Sequence, residues 1–97
     1  MQVAETILKQ LGGRKFIMMT GSKQFIAGKN SLSMKLTRNQ TGANYLRITL
    51  NSMDLYDMEF ISIRGGNMKT KVKSEGLYND MIVREFEQQT GLYTQLF

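Results

Sequence analysis

Apolar residues recur at Val3, Ala4, Ile7, Leu8 and Leu11, with Glu5, Lys9 and Gln10 between them. That spacing puts one apolar stripe on a helix over 2–11, and Gly12-Gly13 supplies its stop. The pattern then shortens. Phe16, Ile17, Met18 and Met19 run without interruption inside Arg14 to Thr20, which predicts a strand near the sheet centre, covered on both faces. Gly21-Ser22 separates it from a second short strand, Lys23 to Ala27, and Gly28-Lys29-Asn30 forms the next turn.

The plainest alternation follows. Leu32, Met34 and Leu36 alternate with Ser33, Lys35 and Thr37 over Ser31 to Thr37; Leu46, Ile48 and Leu50 alternate with Tyr45, Arg47 and Thr49 over Tyr45 to Asn51. Joined by the polar, glycine-containing connection Arg38 to Ala43, they predict an antiparallel hairpin with one buried face and one free to meet solvent or a ligand. Leu55 to Arg64 begins with Tyr56, Met58 and Phe60 on one parity and continues with Ile61 and Ile63 on the other, so a bulge is expected near Phe60. After Gly65-Gly66-Asn67, the stretch Met68 to Ser74 carries Lys69, Lys71 and Lys73 at period two, an arrangement that discourages edge pairing. From Leu77 to Thr90 the spacing becomes helical again, with Leu77, Tyr78, Met81, Ile82 and Phe86 as the stripe. Gly91 stands as its C′ residue, with Leu92 closing the cap. Leu96 and Phe97 suggest that the tail packs. The expectation is one α+β domain over 1–97: an N-terminal helix, an antiparallel sheet of four to six strands and a C-terminal helix. No repeat or low-complexity tract interrupts it.

Composition removes most chemistry from this frame. The 97 residues include no His, Cys or Pro. Disulfides, thiolate or imidazole metal sites, and Cys-His or Ser-His-Asp arrangements are therefore excluded. No apolar run approaches the ~20 residues needed to span a bilayer, and no basic stretch followed by an apolar one opens the chain. No cofactor and no membrane partner are expected; a cytoplasmic protein is. The net charge of +5 is unevenly placed. Residues 1–53 hold eight basic side chains against Glu5 alone, whereas residues 54–97 hold five against seven acids. Such polarity favours polyanions or acidic protein surfaces as partners.

Three clusters invite a chemical reading. Asp54, Asp57 and Glu59 offer oxygen ligands, but a strand puts Asp57 and Glu59 on one face and Asp54 on the other or in the preceding turn. Position 61, where a metal-dependent nuclease would want Lys, is Ile. They read as solvated acids or as partners of the basic half. Gly21-Ser22-Lys23 has part of a phosphate-loop composition without its spacing or its helix, and reads as a tight turn. No lysine has surroundings that would desolvate it into a nucleophile, and no enzyme activity is expected. The positive signal is the hairpin's non-core face, where Lys35, Tyr45 and Arg47 align. Lys69, Lys71 and Lys73 would extend it if their strand lies alongside. Basic side chains neutralise phosphates, and an exposed Tyr provides a stacking platform for a base. Of the eight methionines, Met18, Met34, Met58 and Met81 fall on apolar faces and are expected to fill the core. Exposed Met53 or Met68 would argue instead for an adaptable binding surface.

Leu8 to Phe25 (LKQLGGRKFIMMTGSKQF), Gly42 to Phe60 (GANYLRITLNSMDLYDMEF), Glu75 to Met81 (EGLYNDM) and Thr90 to Tyr93 (TGLY) resemble a group of small bacteriophage- and prophage-encoded proteins that has no assigned activity. The resemblance implies a bacterial host cytoplasm. It also implies a role either in replication and expression of phage DNA or in inhibiting a host defence system, in the manner of an anti-CRISPR protein. It brings no site residues with it. The expected partner is nucleic acid, DNA or RNA, met by a sheet face; the alternative is a nucleic-acid-handling host protein. A homo-oligomer is compatible with either.

Overall fold

The computed structural model describes residues 3–94. Two helices, α1 (Val3–Leu11) and α2 (Arg14–Thr20), precede five strands: β1 (Lys23–Ala27), β2 (Ser31–Lys35), β3 (Tyr45–Leu50), β4 (Tyr56–Arg64) and β5 (Asn67–Leu77). A third helix, α3 (Ile82–Thr90), follows them. The strands form one antiparallel sheet in the order β1-β2-β3-β4-β5, each paired with its sequence neighbour. The α+β class, the terminal helices and the antiparallel sheet are those the sequence pattern predicts.

The pairing register assigns the faces. Leu32 faces Ile48, which faces Met58; Met34 faces Leu46, which faces Phe60. All six are buried in a single apolar core with Ala4, Ile7 and Leu11 of α1, Phe16 of α2, and Ile82 and Phe86 of α3. The Phe86 ring joins the layers, with its centroid 5.0 Å from that of Phe16 in an edge-on arrangement and 6.5 Å from that of Phe60. Ser74 Oγ donates to Glu85 Oε2 at 2.5 Å, tying β5 to α3. All three helices therefore contribute to one face of the sheet.

Several expectations are corrected. Arg14 to Thr20 is helical, not a central strand. Phe16 and Thr20, four residues apart, are buried, while Arg14, Lys15, Met18 and Met19 point outward. Its apolar run has helical burial but conceals the period, because two methionines occupy solvent-facing positions. Gly21 at φ 69° ends the helix, its N–H donating to Ile17 O at 2.9 Å. The second predicted helix starts late: Leu77 is buried as the last residue of β5, Tyr78 and Met81 are exposed in the turn, and α3 begins at Ile82. Gly91 does cap it at φ 75°, donating to Glu87 O at 2.9 Å. The chain beyond is held at Thr94, whose N–H and hydroxyl both reach Glu87 Oε2. Tyr93 is exposed, and Leu96 and Phe97 lie outside the described residues.

The irregularity expected near Phe60 occurs at the Phe60/Ile61 step, but the extra residue belongs to β5: Phe60 pairs with Val72 and Ile61 with Thr70, leaving Lys71 over. β4 itself alternates throughout, so Ile61 and Ile63 lie on the face away from the helices. Among the methionines, Met34 and Met58 are fully buried, whereas Met18 and Met81 are exposed with Met19, Met53 and Met68. Among the described residues, core filling accounts for Met34 and Met58 only.

Candidate nucleic-acid interface

Opposite the helices, the sheet presents alternate residues of the same strands. In one row across it, Lys23 pairs with Lys35, Lys35 with Tyr45, Tyr45 with Ile61, and Ile61 with Thr70. In the next, Ile26 pairs with Ser33, Ser33 with Arg47, Arg47 with Glu59, and Glu59 with Lys73. Ser31, Thr49 and Asp57 form a third. Directly paired residues of an antiparallel sheet project to one side, so Lys35, Tyr45 and Arg47 share this open face, joined by Lys23 and Lys73.

The lysines of β5 do not form one side of a strand. The extra residue at Lys71 reverses the phase, so Lys73 stands on the open face opposite Glu59, whereas Lys69 pairs with Ser62 on the other parity. The Lys71 stem reaches back to the β2–β3 connection, its ε-carbon 4.0 Å from the point a Cβ on Gly42 would occupy. Moreover, β4 lies between β5 and the β2–β3 hairpin, so these lysines do not continue the Lys35–Arg47 cluster directly. All three are exposed.

The acids are engaged locally. Asp57 Oδ1 accepts from Asn51 Nδ2 at 3.1 Å and from Gly76 N at 3.0 Å. Glu59 Oε1 lies 3.9 Å from Arg47 Nε, a half-exposed pair of small energetic value. Asp54 sits in the preceding turn with φ 61°. Among the described residues there is no group of three or more carboxylates placed to hold a metal ion.

Within the open face, charge and apolar area are unevenly distributed. Lys23 and Lys35 stand directly opposite each other with no carboxylate in their row, so their positive potentials add. Beside them, a shallow hollow of about 240 Å³ is lined by Gln24, Lys35, Asn44, Tyr45 and Ile63. Ile26, Ile63 and Met68 are exposed on the same face. Ile61, paired with Tyr45 and Thr70, is only 1% exposed. Reading alternation within each strand finds Lys35, Tyr45 and Arg47 but misses Lys23. The turn Gly28-Lys29-Asn30 was the available signal, since a tight hairpin there folds β1 back along β2. The bulge at Gln24, which has φ 55°, then sets Lys23 against Lys35.

Among the described residues no helix is long and apolar enough to cross a membrane. Comparison with protein-family models, curated proteins and solved structures finds no match to this chain.

Proposed function

We propose that this is a non-catalytic binding protein whose open sheet face takes single-stranded DNA or RNA without sequence preference. The reading is carried by one observation: a sheet face left bare by all three helices, on which the Lys23–Lys35 pair lies beside the half-buried ring of Tyr45. The lysines neutralise successive phosphates, and Tyr45 offers a π-surface to an unstacked base. The order of the row, cation, cation, aromatic, suits a strand crossing the sheet.

Fluorescence anisotropy of labelled single strands across a salt series tests it. Affinity is expected to fall steeply between ~50 and ~200 mM salt, with a log–log slope of about −0.7 per phosphate neutralised. The pair Lys23→Gln and Lys35→Gln should reduce that slope. Absence of binding at ~50 mM salt overturns the proposal.

A second reading, a protein partner such as a nucleic-acid-handling component of a host defence system, draws support from Ile26, Ile63 and Met68, which put exposed apolar area on the same face. Pull-down from nuclease-treated bacterial lysate distinguishes the two: one stoichiometric protein retained by the wild type and lost with Met68→Asp supports the protein partner.

A further inference from the structure

Beyond the open face, the β2–β3 connection builds a second basic feature that the alternation pattern does not show. Residues 36–44 and Arg64 line a polar groove of about 600 Å³, which contains Arg38 and Arg64 and no carboxylate. The connection is held in shape from within. Asn39 Nδ2 donates to Thr37 O and Ala43 O, each at 2.8 Å, and its Oδ1 accepts from the N–H and hydroxyl of Thr41. Gln40 fastens it to the end of α3, its N–H donating to Thr90 O and its Nε2 to Gln88 O. Asn44 continues the β3–β4 ladder with its side chain, donating to Ile63 O at 2.8 Å and accepting from Ile63 N at 2.9 Å.

These bonds fix the loop's shape while leaving its cations unspent. Among the described residues neither Arg38 nor Arg64 is paired with a carboxylate; Arg64 Nε reaches only Ser62 Oγ, at 3.3 Å. Two guanidiniums beside a polar groove on a fixed backbone match the planar, multi-donor recognition of phosphate oxygens. The groove meets the open face at the end of the sheet, where Asn44 lines both it and the Lys35–Tyr45 hollow. Arg64, next to Ile63 on β4, projects to the other side of the strand with Ser62, so a chain passing from the hollow to the groove turns over the sheet end.

We propose that this groove is a phosphate-binding site, in which Arg38 and Arg64 grip the backbone of a single strand leaving the open face past Tyr45. The strand's course rests on the open-face reading, whereas the affinity of the groove for phosphate does not, and the experiment separates them. Arg38→Gln with Arg64→Gln is compared with Lys23→Gln plus Lys35→Gln. Circular dichroism establishes that each variant is folded. Each is titrated with a labelled single strand of about 12 nucleotides, a length within the usual single-domain site size, and with inorganic pyrophosphate followed by ¹H–¹⁵N spectra. The arginine variant is expected to lose oligonucleotide affinity on the order of tenfold and about 1.4 units of salt slope, the value for two phosphates of a single strand. Pyrophosphate should shift the amides of residues 37–44 and Arg64 in the wild type and not in the arginine variant. If the wild type binds the oligonucleotide and the arginine variant binds it equally, with the same slope, the groove proposal is overturned and the open face stands. If the wild type binds no oligonucleotide, the open-face reading fails. Pyrophosphate then decides the groove alone: localised shifts uphold it for a small phosphorylated ligand, and their absence overturns it.

Discussion

The two faces of the sheet are made by the same strands, one residue out of step. On β2, β3 and β4 the helix-facing residues include Leu32, Met34, Leu46, Ile48, Met58 and Phe60; their neighbours on the open side are Ser33, Lys35, Tyr45, Arg47, Asp57 and Glu59. One face sets stability through packing, and the other is a surface held in place from behind. The open side can therefore vary its chemistry at little cost to the fold, whereas the covered side cannot. Met58 and Met68 make the point with one residue type: the first is fully buried, the second 67% exposed. Ile61 is the exception, a buried residue on the open side.

The contrast can be broken from the covered side first. Phe86→Ala removes the ring that contacts both Phe16 and Phe60 and should cost about 3–5 kcal/mol, measured by urea unfolding. That is a large share of the ~5–15 kcal/mol typical of a domain. Met58→Ala should cost about 2–5 kcal/mol in the same assay. At the border of the two features that share Asn44, Asn44→Ala strips the N–H and C=O of Ile63 of their partner. The expected loss is about 1 kcal/mol, because water reaches this exposed strand end, with faster amide exchange at Ile63 as the local signature. On the open side, Lys23→Glu replaces a like-charged cross-strand pair with an opposite one. It should raise stability by about 0.2–1 kcal/mol while weakening oligonucleotide binding, so the urea midpoint and the anisotropy should move in opposite directions. Met68→Ala should change stability by no more than about 0.5 kcal/mol. A loss comparable to that of Met58→Ala would show that the open face is packed against something.

Alternation made the β2–β3 hairpin and its two faces legible, since Leu32, Met34, Leu46 and Ile48 each keep strict period two. The helix α1 was equally plain, because its stripe carries no apolar residue on the wrong side. α2 was not. Met18 and Met19 spend apolar side chains on solvent, and a seven-residue helix is too short for Phe16 and Thr20 to reveal its period. The start of α3 was hidden by Leu77, which serves a strand yet fits the stripe of the helix that follows. For the candidate site, Lys35, Tyr45 and Arg47 could be placed together from their own hairpin. Relations that depend on bulges could not: the step at Lys71 separates Lys69 from Lys73, and the one at Gln24 brings Lys23 opposite Lys35. The neighbourhood of Arg38 and Arg64 depends on how a nine-residue connection folds, and period-two or period-3.6 reasoning says nothing about that.

The strand order β1-β2-β3-β4-β5 has a kinetic consequence. Every ladder joins segments adjacent in sequence, so each hairpin can close with a short loop and a small entropic cost, and the sheet can grow one strand at a time. The distant closure is that of the ends, where Phe16 must find Phe86 across the whole meander. Folding should accordingly be rapid for a sheet protein, with the terminal helices docking onto strands that have already begun to pair.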